Sequence, residues 1–126
     1  MAEPSFAIPV QPERTYPFRG GVTYEGETTF ILAPDPDWDT DRLTELVADV
    51  LADGPYRYGD FLNLPMPLYL VKDEQTSDVF RLSVRDGSVR LHVLPDTESA
   101  GLRAMHDRLV AESGIDWTVE CRSTTP

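Results

Sequence analysis

The sequence predicts an α+β fold, a two-layer sandwich with an antiparallel-rich sheet of about five or six strands and two helices packed on one face. Short segments of alternating apolar and polar residues predict the strands, and two of these flank Asp86-Gly87. Apolar residues recur at helical spacing over 43–51 and 102–110. Because only these helical stripes are long enough to cover a sheet, we expect both helices on one of its faces. The predicted segments follow one another in the order β-β-α-β-β-β-α-β.

Residues 79–94 (VFRLSVRDGSVRLHVL) are predicted to form a β-hairpin. Asp86-Gly87 suits a type I′ turn, in which both central residues have positive φ. The register then places three apolar pairs on one face. These pairs are Phe80 with Val93, Leu82 with Leu91, and Val84 with Val89. The opposite face carries four basic or titratable side chains, which are Arg81, Arg85, Arg90 and His92.

The chain before the first helix divides into an arm and two strands. Four prolines in residues 1–20 predict an extended N-terminal arm, with a short edge strand possible at 6–10. Residues 21–122 are then a single α+β domain, and 123–126 a frayed tail. Strands are expected at 22–24 and 28–33, about a turn at Glu25-Gly26.

The first helix is predicted over Trp38 to Gly54, with Asp39 as its N-cap and Gly54 as a left-handed residue after its last turn. Its apolar stripe consists of Leu43, Leu46, Val47, Val50 and Leu51. An aromatic, proline-broken connection follows over 56–67, and then a strand over 68–72.

The second helix is predicted after Pro95, with Asp96 or Thr97 as its cap and Gly114 at its end. Its stripe consists of Leu102, Met105, His106, Leu109 and Val110. Alternation over 115–122 predicts a last, half-buried strand whose apolar side includes Cys121, expected as a core residue. The element order resembles an elaborated ferredoxin-like sandwich.

Composition places limits on location and partners. Of 126 residues, 22 are Asp or Glu and 11 are Lys or Arg, a net charge of −11, with Lys72 as the single lysine. This resembles proteins of salt-in halophiles, although a GC-rich genome also favours Arg over Lys. A field this negative makes nucleic acid an unexpected partner. We expect a cytoplasmic protein with no membrane span, since neither an export signal nor a long apolar run is present.

Two surfaces are candidate sites. Arg81, Arg85, Arg90 and His92 could hold a carboxylate, a phosphate or an acidic partner, or could be a solvated face whose arginines pair with neighbouring acids. The connection with Tyr56, Tyr58, Phe61, Leu64 and Met66 could be a protein interface, or could close the open end of the core.

Catalysis and metal binding are not expected. Asp35, Asp37, Asp39 and Asp41 could converge on Ca²⁺, but acidic residues also gather at helix N-termini, and the EF-hand pattern fails here. No nucleophile elbow, phosphate loop or dinucleotide motif is present, so no cofactor is expected. The leading hypothesis is a non-enzymatic protein-interaction module, possibly homodimeric. The alternative is a binding module for a small anionic ligand or nucleic acid at the arginine-bearing hairpin face.

Overall fold

The computed structural model describes residues 5–15, 23–60 and 68–124. In chain order the elements are β1 (Glu13–Thr15), β2 (Thr23–Glu25), β3 (Glu27–Pro34), α1 (Thr40–Asp53), β4 (Tyr56–Asp60), β5 (Leu68–Asp73), β6 (Asp78–Arg85), β7 (Ser88–His92), α2 (Ser99–Ser113) and β8 (Trp117–Thr124). Six strands form one open antiparallel sheet in the order β4-β5-β6-β7-β3-β8, and β1 pairs with β2 in a separate ribbon. The two helices pack against the sheet, so the predicted α+β class is confirmed.

Both helices lie on the same face of the sheet and contact each other. Each helix joins two strands that run in the same direction. Helix α1 leads from β3 to β4, and α2 leads from β7 to β8 with β3 between them. This split β–α–β connection agrees with the resemblance to a ferredoxin-like sandwich, here enlarged by β5 and β6.

The hairpin of β6 and β7 has the predicted turn and register. Asp86 and Gly87 have φ values of 52° and 71°, as a type I′ turn requires. Two predicted apolar pairs are present and fully buried, Leu82 with Leu91 and Val84 with Val89. The third pair, Phe80 with Val93, lies beyond the ladder because β7 ends at His92.

The core fills the space between the sheet and the helices. All five stripe residues of α1 are buried, as are four of the five predicted for α2, His106 among them. They pack against one set of alternate strand positions, as amphipathic elements must. The strand residues of this set are Phe30, Leu32, Tyr69, Val71, Phe80, Leu82, Val84, Val89 and Leu91.

Residues 6–11 of the N-terminal arm pack against the helical side of the molecule. Phe6 is 1% exposed and its ring centroid lies 5.3 Å from that of Phe30. The Ser99 hydroxyl donates to the Phe6 carbonyl, and the Gln11 amide donates to the Leu94 carbonyl at 2.8 Å. These contacts attach the arm to the same core as the sheet and the helices.

The predicted helix ends need two corrections. Asp39 caps α1 as expected, accepting from the Arg42 backbone N–H at 2.8 Å, but Gly54 is extended, with φ −87°. A glycine is needed there because a Cβ would collide with the Tyr56 ring. The N-cap of α2 is Glu98, not Asp96 or Thr97, and its own side chain makes no capping bond. Gly114 is left-handed, as predicted.

Two strand predictions also need correction. Residues 56–60 form β4, although aromatics, Gly59 and the nearby prolines predicted an irregular connection over 56–67. Cys121 is exposed rather than buried. Its strand, β8, lies at the sheet edge, and neither helix packs closely enough on this strand to cover it.

Candidate functional site

The face of the sheet turned away from the helices, called here the open face, carries most of the described cations. Because Phe80, Leu82 and Val84 point at the helices, the residues between them point to the open face, and the register carries this assignment to every strand. Six of the eleven Lys and Arg residues occupy such positions, Arg57, Lys72, Arg81, Arg85, Arg90 and Arg122. The carboxylates at described open-face strand positions are Glu27 and Glu120.

The centre of the open face contains a cavity of about 450 Å³. All four residues of the predicted hairpin site line it, Arg81, Arg85, Arg90 and His92. Arg81 lies opposite His92 across the ladder, and Arg90 opposite Ser83, so the turn at Asp86-Gly87 fixes their spacing. The volume falls within the range of small-molecule sites, about 300–1,000 Å³.

The walls of the cavity come from distant parts of the chain. Glu27 at the start of β3 and Pro12 in the arm border one side, and Leu68 of β5 borders the other. Leu94 and Pro95, after β7, supply further apolar surface. The cavity therefore combines a cationic floor with partly apolar walls.

The arginines of the cavity have little internal neutralisation. Arg85 and Arg90 share one carboxylate, that of Asp86, at 3.5 Å and 3.9 Å, and this side chain is 73% exposed. Arg81 makes no hydrogen bond or ion pair with any of the described residues. Ion pairs with an exposed carboxylate contribute roughly 0–1 kcal/mol each, so the guanidinium groups remain available to an external anion.

His92 lies half-buried among these arginines. Its Nε2 is 2.8 Å from the Ser83 hydroxyl, and its Nδ1 is 3.4 Å from the Thr29 hydroxyl. Burial lowers the pKa of His92 below its ordinary value of 6.5, the nearby arginines lower it further, and Glu27 opposes them. The imidazole is therefore neutral at pH 7, and a neutral ring donates one hydrogen bond and accepts another.

The structure describes only part of the predicted interface. Phe61, Leu64 and Met66 lie outside the described residues. Tyr58 is 46% exposed, whereas the Tyr56 hydroxyl accepts a hydrogen bond from Arg108 of α2, which also pairs with buried Asp73. The interface at this connection stays a prediction.

Of the acidic residues at positions 35–41, Asp39 is the N-cap of α1, as described above. Among residues 5–15, 23–60 and 68–124, no three His, Cys, Asp or Glu side chains converge as a metal site would require. Within the same ranges, no helix has the length and apolar character needed to cross a membrane.

The sequence predicts the cationic floor of the cavity, formed by the hairpin residues, but not the residues of its walls. Glu27, Leu68 and Leu94 lie far from one another in the chain, and only the strand order brings them together. The alternation of β3 does place Glu27 on the side opposite Phe30, which was the available signal.

Comparisons with protein-family models, with curated proteins and with solved structures gave no match.

Proposed function

We propose that this protein is a binding module for a small anionic molecule, held in the arginine-lined cavity of the open face. The observation that carries the proposal is the convergence of Arg81, Arg85 and Arg90 on one cavity, in which Glu27 is the one carboxylate among the described lining residues. Outside the lining, Arg85 and Arg90 share only the exposed carboxylate of Asp86. Guanidinium groups form paired, charge-assisted hydrogen bonds with phosphate and carboxylate, so these are the expected ligand groups.

The size and composition of the cavity favour a small molecule over a nucleic acid. A volume of about 450 Å³ holds a compact ligand, and its apolar walls at Leu68 and Leu94 provide contact for an uncharged part. Phosphate backbones bind through many neutralised charges, and a protein of net charge −11 repels them at longer range.

Isothermal titration with pyrophosphate, citrate and a nucleoside triphosphate tests this proposal. We expect at least one of them to bind, and Arg81→Gln or Arg90→Gln to weaken its binding by about tenfold or more, because a charge-assisted hydrogen bond contributes about 1.5–3 kcal/mol. Arg57→Gln is the matched control, since Arg57 is also an open-face cation but does not line the cavity.

Two results would contradict the proposal. One is equal weakening by the control substitution, which would indicate only diffuse attraction to the basic face. The other is the failure of all three small anions to bind, whether or not single-stranded RNA binds.

A further inference from the structure

Strand β8 is an open edge of the sheet. Its eight residues pair one-to-one with β3 from Trp117 to Thr124, with no bulge and no proline, and no strand of the described chain lies on its outer side. Such an edge presents a row of unpaired backbone N–H and C=O groups to a further strand. Natural edges are blocked by bulges, prolines or repelling charges, and the first two devices are absent here.

The charges of β8 are self-complementary. Glu120 and Arg122 flank Cys121, point to the open face, and have side chains 60% and 62% exposed. If two copies pair antiparallel about an axis through Cys121, Glu120 of each copy lies directly opposite Arg122 of the second copy. An axis one residue away in either direction would instead place like charges opposite each other.

We propose that the β8 edge is an interface at which two copies of this chain pair antiparallel about Cys121. The two six-stranded sheets then form one continuous sheet. Because the two-fold axis is perpendicular to that sheet, both open faces lie on the same side, and the two arginine-lined cavities share one surface. This proposal rests on β8 alone and does not depend on what the cavity binds.

The competing interpretation is that the charges protect a monomer. Within one chain Arg122 Nε lies 3.1 Å from Glu120 Oε1, and this internal pair is satisfied without a partner. A variant in which Glu120 and Arg122 are exchanged separates the two interpretations. If the charges only protect a monomer, this variant pairs no better than a variant in which one of the two charges is reversed.

The experiment is analytical ultracentrifugation at about 0.15 M KCl, where a Debye length of about 8 Å weakens the overall repulsion between two chains of net charge −11 but leaves adjacent charges interacting. We expect a dimer of the unmodified protein. The substitutions Glu120→Arg and Arg122→Glu each place two like-charge pairs across the interface, so each raises the dissociation constant by about tenfold or more. The double variant exchanges the charges and restores the original constant to within about threefold.

The matched control is Arg57→Glu, a charge reversal on β4 at the opposite edge of the sheet, which leaves dimerisation unchanged. Circular dichroism of each variant checks that these exposed substitutions leave the fold intact.

A disulfide between Cys121 of the two copies tests the proposed pairing register independently. Antiparallel neighbours have Cα atoms about 4.5–5.5 Å apart, within the range of a disulfide. Diamide accepts the two electrons and two protons of a thiol pair, so it should cross-link Cys121 of the two copies in the original protein and in the double exchange variant, but not in the single variants. A strict monomer at millimolar concentration, a dimer indifferent to the charge changes, or a dimer without this cross-link would overturn the proposal.

Discussion

At the scale of single residues, His92 is the group whose ionisation is coupled to the proposed site. It faces Arg81 and Arg85 from β6, Arg90 on its own strand, and Glu27 from β3. Burial, and then the arginines, hold its pKa below 6.5, so the free site contains a neutral ring. An anion bound among the arginines would offset their field and raise that pKa.

The coupling predicts that binding takes up a proton. Affinity for sulfate, whose own charge is constant over this range, should rise as the pH falls from 8 towards 5, by about tenfold for each pKa unit gained on binding. Calorimetry across this pH range measures the effect, and His92→Gln should abolish it while retaining hydrogen-bonding capacity. A wild-type affinity that does not change with pH would show that the ligand does not reach His92.

The lowered pKa of His92 also affects the stability of the ligand-free protein, which decreases as the pH falls, whereas anion affinity increases. The unfolded chain has the ordinary pKa of 6.5 and binds a proton before the folded chain does. The free energy of unfolding should therefore decrease as the pH falls through 6.5 towards the lower pKa of the folded state. Denaturant titrations of the His92→Gln variant should lack this component.

At the scale of elements, a distant carboxylate caps helix α2. Asp78, at the start of β6, is 4% exposed and accepts from the backbone N–H groups of Glu98 at 2.8 Å and Gly101 at 3.0 Å. Burial raises the pKa of Asp78, and these N–H groups counteract that rise. A Cβ at position 101 would overlap the Asp78 side chain, so glycine is required by close approach.

This contact predicts that the effect of one substitution changes sign with its background. Gly101→Ala should destabilise the original protein, although alanine alone would favour the helix by about 1 kcal/mol. Asp78→Gly should lower the free energy of unfolding by about 2–3 kcal/mol, because helix N–H groups lose their acceptor.

The double-mutant cycle supplies the control. Alanine at position 78 would keep the Asp78 Cβ, which is one of the overlapping atoms, so the cycle uses Asp78→Gly. In the Asp78→Gly background all three overlapping atoms are removed, and Gly101→Ala should become neutral or stabilising. Gly59→Ala, where a Cβ meets nothing within 4 Å, should leave stability nearly unchanged in either background. Additive effects of the two substitutions would contradict this description of the cap.

The contrast between local and long-range contacts explains which elements could be predicted. The hairpin register and the stripe of α1 follow from neighbouring residues, and both are confirmed. Asp78 as the cap of α2, Phe6 in the core, and the exposure of Cys121 depend on strand order. Strand order is set by contacts between residues far apart in the chain, which a periodic pattern does not encode.

At the scale of the whole molecule, the two sides of the sandwich carry opposite charge. The open face carries six described cations, whereas α1 presents exposed acids at four-residue intervals, Asp41, Glu45, Asp49 and Asp53. Like charges at this spacing repel, and no basic residue occupies the last turn to offset the helix dipole. The acidic excess of the sequence is therefore partly concentrated on one helix.

This arrangement predicts a strong salt dependence of stability. The denaturation midpoint should rise between about 0.1 M and 1 M KCl, as the Debye length contracts from about 10 Å to 3 Å. At low salt, replacing Glu45, Asp49 and Asp53 by their amides should raise the midpoint, and in molar salt the gain should shrink. Asp41→Asn is the control, because the first turn of a helix favours an acid. An unchanged midpoint at low salt would contradict the proposed repulsion.

The most direct test of the arginine-lined cavity as an anion site is a backbone amide NMR titration with the anion that binds most tightly. We expect the largest shifts at Arg81, Arg90 and His92, smaller shifts at Thr29 and Glu27, and saturation at a single site. The same titration of Arg81→Gln should show the same positions responding at higher ligand concentration. Shifts confined to the helices or to β4, or none up to millimolar anion, would contradict the account.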